Sequence, residues 1–333
     1  MRYIILTISL LLMGCQSGTK SKSVTIYVSE DQVFSEPLLR DFEKETGIKV
    51  NAIYDTEESK STGVMNRLIA EKNNPQADVY WANEPIRAEV LKQRGILTPY
   101  RSPNADGIPA NFRDKSYFWT GFSVRVRLFV VQKGLKDTPH SIMAYILPKF
   151  KGKAVIANPL FGTTTAHISA LLTIWGEEKT KKFLQQLKAN KIRLSTSNGE
   201  SADFIANGTY LFSLVDSDDA ISRLKANKPI EIIYPDQGRD EVGAFVVPNA
   251  VMLIKKSPHQ EMGKKLIDYL LSRKSEKKLA FADCAQIPLH KDVPMPSYIK
   301  PIKDIKVMSV DFEKVAKEMI AIQPYLKKWV EER

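Results

Sequence analysis

Apolar and polar positions alternate along the chain with two periods, and together they predict a mixed α/β fold. Leu38, Leu39 and Phe42 share one face at helical spacing, and Gly47 follows as a typical helix end. In this first part we predict strands over 24–28, 48–54 and 77–81 and helices over 37–46 and 63–72. Strand and helix in regular alternation indicate parallel strands joined by crossover helices.

A second αβ series follows a long β-rich run over residues 119–132, which we interpret as an extended strand pair or a crossover. In the remaining chain we predict strands over 154–157, 210–215 and 243–254 and helices over 165–175, 178–189, 220–226, 258–271, 275–281 and 311–331. Two series of this kind predict two αβ lobes in one chain.

The first fifteen residues carry the parts of an export signal. Met1-Arg2 is basic, residues 3–13 are apolar, and this run is too short to remain as a membrane-spanning helix. Leu12-Met13-Gly14-Cys15 resembles a bacterial lipoprotein lipobox, which implies cleavage after residue 14 and lipidation of Cys15. An ordinary signal peptide or an N-terminal membrane anchor is the alternative. Residues 15–23 are polar and predict a flexible tether.

Composition narrows the class further. A chain of 333 residues can form two domains, and its formal charge of +11 is spread along the whole length. Because basic residues do not cluster with aromatic ones, no nucleic-acid partner is expected. If Cys15 is lipidated, Cys284 has no disulfide partner and is expected to be a small core residue.

Several motifs occur in the order found in periplasmic ferric-ion-binding proteins. Gly121-Phe122-Ser123-Val124-Arg125-Val126-Arg127 is similar to the crossover strand of that family. The other similar segments are 24–27, 42–50, 75–81, 246–251 and 258–259. Together they cover nearly the whole chain after the export signal, and the chain therefore resembles this family of solute-binding proteins.

The resemblance implies a two-lobed type II periplasmic binding fold, in which each lobe is a mixed sheet flanked by helices and two strands form the hinge. It places lobe 1 at 24–129 and 244–333, with the C-terminal helices, and lobe 2 at 130–243. It also implies a monomeric binding subunit of an ATP-driven (ABC) importer, with permease subunits as partners. The predicted location is the bacterial cell envelope, on the periplasmic side or the cell surface.

Hydroxyl and amide side chains precede or open three predicted helices, where they can act as N-caps or face a ligand. We select them as candidate ligand-binding residues: Ser61, Thr62, Thr163, Thr164, Thr165, Asn198 and Ser201. Arg125 matches the crossover arginine that helps to bind a synergistic anion in the resembled family. Its alternative role is that of a surface arginine on a strand.

An acidic cluster lies where a strand is predicted to end and a helix to begin. Asp216 is a further candidate for ligand binding, and Asp218 and Asp219 fall where the resembled family usually has two iron-binding tyrosines. Asp31 and Glu84 also lie near its ligand positions. Carboxylates suit hard, oxygen-ligated cations or an organic cation. Our candidate metal ligands are Asp31, Glu84, Asp218 and Asp219, although a helix cap or a solvated loop would explain the same residues.

Catalysis finds little support in the sequence. The histidines lack metal-ligand spacing, and neither a Gly-x-Ser-x-Gly elbow nor a phosphate-binding glycine loop occurs. Paired carboxylates leave a lipid-tethered hydrolase open as an alternative, and a surface adhesin is another. Ligand binding without turnover would exclude the hydrolase, and a molecule recovered from the cleft would exclude the adhesin.

The leading hypothesis is a lipid-anchored solute-binding protein that is not an enzyme and needs no cofactor. Its expected cargo is a small cation, in particular a metal ion such as iron, with or without a synergistic anion. The alternative cargo is an organic solute such as a polyamine, a thiamine-like cation or a phosphonate.

Overall fold

A computed structural model describes residues 22–55 and 61–332, and in that part of the chain the mixed α/β fold is confirmed. The strands are β1 (Ser23–Val28), β2 (Lys49–Tyr54), β3 (Val79–Ala82), β4 (Leu97–Thr98), β5 (Thr120–Gln132), β6 (Ala154–Ala157), β7 (Arg193–Ser195), β8 (Phe212–Asp216), β9 (Ile230–Ile233) and β10 (Val246–Ile254). The helices are α1 (Gln32–Thr46), α2 (Thr62–Ala70), α3 (Ile86–Gln93), α4 (Gly162–Trp175), α5 (Glu177–Ala189), α6 (Asn198–Ala206), α7 (Ser217–Lys225), α8 (Gln260–Leu270), α9 (Arg273–Phe281) and α10 (Phe312–Glu331). Short 3₁₀ helices lie at Pro103–Ala105, Ala110–Phe112, Ile142–Ile146, Pro148–Phe150 and Ile302–Asp304.

The predicted elements lie close to the observed ones, with two informative differences. Helix α1 begins five residues before the predicted start, so that Pro37 lies inside the helix. Gly47 ends it as expected, with φ of 66° and its N–H bonded to the Glu43 carbonyl at 2.9 Å. Helix α3 was not predicted, because Arg87 and Glu89 are buried along with the apolar residues of that helix and mask its period.

The sheet runs through two groups of strands in the order β2-β1-β3-β10-β5-β8-β6-β7, with β4 beside β10 and β9 beside β5. Parallel pairs join β1 to β2 and β3, and β6 to β7 and β8. Strand β10 is antiparallel to β3 and β5, and β8 is antiparallel to β5. Both groups are therefore mixed sheets. They correspond to lobes 1 and 2, whose predicted boundaries in the sequence stay a prediction.

Strand β5 connects the two lobes. Its residues up to Val126 pair with β10, and those from Arg127 onward pair with β8 and β9. All of its residues except the last are buried, which explains its long apolar run. Arg125 and Arg127 stand two positions apart and therefore lie on one face of this buried strand. Two charges in such a strand need acidic or strongly polar partners.

Three helices begin at the carboxyl ends of lobe 2 strands. Strand β6 leads to α4, β7 leads to α6, and β8 leads directly to α7. Because β6 lies between β7 and β8 and is parallel to both, these ends lie along one edge of the sheet. Ligands of open αβ sheets bind at this kind of edge.

Helix α10 contacts both lobes. It packs against α3 of lobe 1 and α4 of lobe 2. At its C-terminal end the Trp329 indole donates to the Leu184 carbonyl of α5 at 2.9 Å, and at its start Phe312 meets Trp119 edge to face. Although the sequence assigns this helix to lobe 1, its contacts therefore also involve lobe 2.

His167 is a buried polar residue of α4. Its ring stacks on Phe245 with centroids 5.2 Å apart, and neither ring nitrogen has a hydrogen-bond partner within residues 22–55 and 61–332. Burial lowers the pKa of His167 well below its usual range, and the nearby charge of Arg127 lowers it further. The folded protein therefore holds this imidazole in its neutral form.

We expect this neutral histidine to make the fold sensitive to acid. Below the ordinary histidine pKa of about 6.5, the unfolded chain binds a proton that the folded chain excludes. Stability therefore falls with pH, by at most about 1.4 kcal/mol per pH unit from this group. Urea unfolding of the parent and of His167→Phe between pH 7.5 and pH 5 should give a shallower pH slope for the variant. Parallel slopes would contradict this assignment.

Candidate ligand-binding site

A cavity of about 370 Å³ lies at the carboxyl edge of the lobe 2 strands, against the loops of lobe 1. Lobe 1 and β5 contribute Asp31, Asn83 and Arg125. Lobe 2 contributes the residues that precede or open its three helices, among them Thr163, Thr164, Ser197, Asn198, Asp216 and Asp218. The structure thus brings residues from most of the predicted ligand segments to one cavity.

The N-terminus of α4 opens into this cavity without a side-chain cap. Its N-cap residue is Phe161, which offers no oxygen acceptor in its side chain, and Phe161, Gly162, Thr163 and Thr164 all line the cavity. The first N–H groups of a helix have no carbonyl partner within that helix. They also carry the positive end of the helix dipole. The N-terminal end of α4 therefore presents N–H donors and positive potential to a ligand.

The N-terminus of the neighbouring α6 is capped by side chains. Ser197 Oγ accepts from the Glu200 N–H at 3.0 Å, and Glu200 returns a carboxylate oxygen to the Thr196 N–H at 2.6 Å. This arrangement resembles a capping box, except that Glu200 accepts from the residue before the N-cap rather than from the N-cap itself. Asn198, the first helical residue, still reaches the cavity with its side chain. The N-terminus of α6 therefore has a side-chain cap, whereas the N-terminus of α4 has none.

Behind this surface, the buried guanidinium of Arg127 bonds to residues from both helices and from β8. Its Nη1 donates to Thr163 Oγ1 at 2.9 Å, to Asn198 Oδ1 at 3.0 Å and to Asp216 Oδ1 at 3.0 Å. Its Nη2 donates to Thr164 Oγ1 at 3.1 Å. Arg127 is fully buried and was not among the predicted site residues. Its position, two residues after Arg125 in an apolar strand, was the available signal.

Arg125 lines the cavity and is surrounded by carboxylates of the chain itself. Its Nη1 lies 3.2 Å from Glu30, 3.5 Å from Asp218 and 4.0 Å from Asp216, and Nη2 donates to the Asn83 carbonyl. Burial alone would lower the pKa of Arg125, but the charges of these acids outweigh it and raise the pKa above its usual value. The resemblance assigns Arg125 to a bound anion, whereas here carboxylates of the chain already lie beside it.

Asp216, Asp218 and Asp219 form the acidic cluster that the sequence predicts. One carboxylate oxygen from each lies within 4.8 Å of the others, so the three could hold a metal ion. Asp218 also accepts from the Asp219 N–H at 3.0 Å, which is a cap within the first turn of α7. Arg127 and Arg125 lie beside Asp216 and Asp218. The cluster therefore contains guanidinium groups as well as carboxylates.

The remaining predicted metal ligands divide into one that faces the cavity and one that does not. Asp31 lines the cavity from lobe 1. Glu84 is fully buried outside the lining, where it accepts from the Ile86 N–H at 2.5 Å and pairs with Arg87 at 2.8 Å. Its carboxylate thus holds the start of α3. The structure separates Glu84 from the other three candidates.

Four predicted ligand-binding hydroxyls do not line the cavity. Ser61 bonds to Asn83 Oδ1 at 2.5 Å, and Thr62 accepts from Arg87 at 2.9 Å. Ser201 bonds to Ser195 Oγ at 2.6 Å, and Thr165 is buried in α4. The structure does not place these four with Thr163, Thr164 and Asn198 at the cavity.

Arg223 of α7 lines the cavity and was not among the predicted site residues either. Its guanidinium bonds to both carboxylate oxygens of Asp203, at 2.9 Å and 3.0 Å, and to the Gly199 carbonyl at 3.1 Å. It also lies 4.0 Å from Asp219, four residues earlier on the same helix. That spacing on a predicted helix was a usable signal. Arg223 ties α6 to α7 at the cavity wall.

The described residues include no helix long and apolar enough to cross a membrane. Cys284 is a free, buried cysteine, and burial raises the pKa of its thiol well above the usual value. This thiol is therefore unsuited to act as a nucleophile. Cys15 and the predicted export signal lie outside the described residues.

Comparison with known proteins shows the family to which the chain is similar. Residues 38–304 match the pattern of the bacterial extracellular solute-binding protein family. The chain is 27% identical to "Iron uptake protein A1" of Synechocystis over 294 residues, which covers 82% of this chain and 79% of that protein. It is 26% identical to the "Putative 2-aminoethylphosphonate-binding periplasmic protein" of Salmonella typhimurium over 242 residues, or 72% of this chain and 69% of that protein.

The fold is shared with a solved binding protein. The periplasmic binding protein AfuA from Actinobacillus pleuropneumoniae, with exogenous fructose-6-phosphate bound, superposes with a TM-score of 0.81 at 24% identity, and the match covers 94% of this chain and 99% of AfuA. The type II periplasmic binding fold implied by the sequence is therefore confirmed. The chain belongs to the bacterial extracellular solute-binding protein family, whose members serve as the periplasmic binding subunits of ABC importers.

Proposed function

We propose that this protein binds a small organic phosphate or phosphonate and delivers it to an ABC permease. The observation that carries the proposal is the uncapped N-terminus of α4, which opens into the cavity with Thr163 and Thr164 in its first turn. Free helix N–H groups and the helix dipole favour a multiply charged oxyanion at this position. A phosphonate or phosphate group supplies three acceptor oxygens for these donors.

The direction of the hydrogen bonds supports the same ligand. Arg127 can only donate, so the Thr164 oxygen accepts from it, and no residue in the described part of the chain takes the remaining Thr164 proton. Asn198 accepts from Arg127 through Oδ1 and donates one N–H to Thr163, which leaves its second N–H available. Both side chains line the cavity. They therefore offer donors where an oxyanion would lie.

Three further lining residues suit the organic part of such a ligand. Asp31, Asp218 and Asp219 line the cavity and can accept hydrogen bonds from hydroxyl or amino groups. A volume of about 370 Å³ fits a small organic molecule and exceeds the space that a single ion needs. The named ligands of two similar proteins, 2-aminoethylphosphonate and fructose-6-phosphate, combine both kinds of group.

Calorimetry on protein freed of bound ligand by unfolding and refolding tests the proposal. The panel is inorganic phosphate, methylphosphonate, 2-aminoethylphosphonate, fructose-6-phosphate, spermidine, thiamine, Fe³⁺ citrate and Mn²⁺. We expect at least one organophosphorus compound to bind with a Kd below about 10 µM and without turnover. Binding of only the metal ions, or of only spermidine or thiamine, would refute the proposed ligand class.

A metal cation is the second candidate, and the cluster of Asp216, Asp218 and Asp219 favours it. Their ligand oxygens are close enough to share one ion. Against this, Arg125 lies 3.5 Å from Asp218 and Arg127 lies 3.0 Å from Asp216, and both guanidinium groups would oppose a second cation. A synergistic anion at α4 would offset part of that repulsion. The same calorimetric panel, with and without phosphate, separates the two candidates.

We also propose that Cys15 carries the lipid anchor in the cell envelope. A single acyl chain gives only weak membrane attachment, and the diacylated cysteine of a lipoprotein gives a stable one. We expect Cys15→Ser to move the protein from the membrane fraction to the soluble periplasm or the medium. Fractionation of cells that produce each form measures this, with Cys284→Ser as the matched control. A Cys15→Ser protein that still sediments with membranes would contradict the lipobox interpretation.

A further inference from the structure

We propose that Arg127 is a positioning residue that sets the hydrogen-bond direction of the ligand site without touching the ligand. This inference deepens the proposed function and rests on it. Arg127 is fully buried and does not line the cavity, yet Thr163, Thr164, Asn198 and Asp216, which it contacts, all do. Its role is therefore exerted through these groups.

The chemistry of the guanidinium group fixes how its partners are oriented. All of its polar hydrogens are donors, so each contacting oxygen must accept. Thr and Asn side chains can otherwise either donate or accept, and in water their orientation would be free. Because Arg127 donates to their oxygens, at 3.1 Å for Thr164 and 3.0 Å for Asn198, the Thr164 proton and the second Asn198 N–H are directed away from Arg127.

Thr163 completes the arrangement. Its oxygen accepts from Arg127 at 2.9 Å and from Asn198 Nδ2 at 3.0 Å, and its proton goes to Asp216 at 2.9 Å. Asp216 in turn balances the charge of Arg127 at 3.0 Å. The direction of the Thr163 proton is thereby fixed, and the Thr164 proton cannot point to Arg127. At Thr164 and Asn198 this arrangement favours acceptor groups of a ligand, because a ligand donor at that position would leave the donors of both side chains unpaired.

Lysine cannot replace arginine in this role. An ammonium group keeps the positive charge, but it is a compact point donor on a shorter stem and cannot contact all four of these residues as the two guanidinium nitrogens do. Arg127→Lys therefore separates positioning from charge. If Arg127 supplied only positive potential to the site, the lysine variant would bind an anion as well as the parent does.

The test is calorimetry with 2-aminoethylphosphonate and with inorganic phosphate on the parent, Arg127→Lys, Thr164→Val and the double variant. We expect each single change to weaken binding of the better probe by at least about tenfold. The double variant should bind no more than about threefold more weakly than the weaker single variant, because both changes remove the same oriented donor. Arg67→Lys, an exposed arginine outside the cavity, should bind as the parent does.

Parent-like binding by Arg127→Lys, or independent losses that multiply in the double variant, would overturn the proposal. If Arg127→Lys does not fold, the comparison of Thr164→Ser with Thr164→Val decides the matter: the valine variant should bind at least about tenfold more weakly than the serine variant, and equal affinities for both would overturn the proposal. A parent that binds neither probe but binds another organophosphorus compound of the panel is tested with that compound. A parent that binds only cations refutes the proposed function, and the role of Arg127 falls with it.

Discussion

A Thr164→Asp variant is expected to lose at least about a hundredfold in affinity for a phosphonate while remaining as stable as the parent. The new carboxylate would lie in the first turn of α4, where the helix dipole stabilises a negative charge by about 0.3–1 kcal/mol. It would also accept from Arg127, as Thr164 does at 3.1 Å. A ligand oxyanion would then meet a fixed negative charge at the position of its former donors.

Two measurements on the same variant make this prediction specific. Urea unfolding at pH 7 should give a midpoint equal to or above that of the parent, and calorimetry should show the loss of the anion. The control is Thr164→Ser, which keeps the hydroxyl group and should keep the affinity. A metal cation would respond in the opposite direction, because an added carboxylate strengthens a cation site. Unchanged phosphonate binding would mean that the N-terminus of α4 does not hold the ligand.

Local sequence patterns predicted most of the fold because the elements have clear periods and ends. The alternation over 48–54 and the glycine at position 47 locate β2 and the end of α1 almost to the residue. Helix α3 escaped prediction because charged residues are buried on it. Burial of a charge depends on a distant partner, and no local pattern reports such a partner.

The candidate site was predictable in part for the same reason. Residues that follow strands or open helices, such as Thr163, Asn198 and Asp218, reach the cavity because strand ends share one edge of the sheet. Sequence could not tell which of several adjacent hydroxyls faces the cavity. Thr164 lines it, whereas Thr165, one residue further along the same helix, is buried behind it. Successive residues of an α-helix are rotated by about 100° around its axis, so adjacent side chains such as these two point in different directions.

The charges around the cavity show a further limit of sequence. The acids at the end of β8 and the start of α7 predict a negatively charged site because they lie close together in the sequence. Their compensating arginines, Arg125 and Arg127, lie about ninety residues away and are brought to them by the pairing of β5 with β8. The electrostatic character of the cavity is therefore a property of the sheet register. The two arginines that this register brings to the acids are one reason why we propose an organic anion with polar groups, and the cationic cargo stays a prediction.

Arg125→Met is expected to destabilise the protein by about 3–5 kcal/mol at pH 8, because it removes one positive charge from a group of buried carboxylates. Glu30, Asp218 and Asp216 lie within 4.0 Å of the guanidinium, and all three are buried. Methionine replaces the unbranched stem of arginine and lacks its charged guanidinium group, so packing along the stem is kept. Urea unfolding of the parent and the variant gives the difference directly.

The sign of the pH dependence separates this explanation from a simple packing defect. Protonation removes a buried negative charge, so the deficit of Arg125→Met should shrink as the pH falls from 8 to 5. Adding Glu30→Gln should recover part of the loss at pH 8, since it removes one uncompensated carboxylate. Arg101→Met, which breaks an exposed pair with Asp106, should unfold at the urea concentration of the parent. A deficit that is independent of pH and is not relieved by Glu30→Gln would show that Arg125 contributes through its packing, and that the acids around it are stabilised by other means.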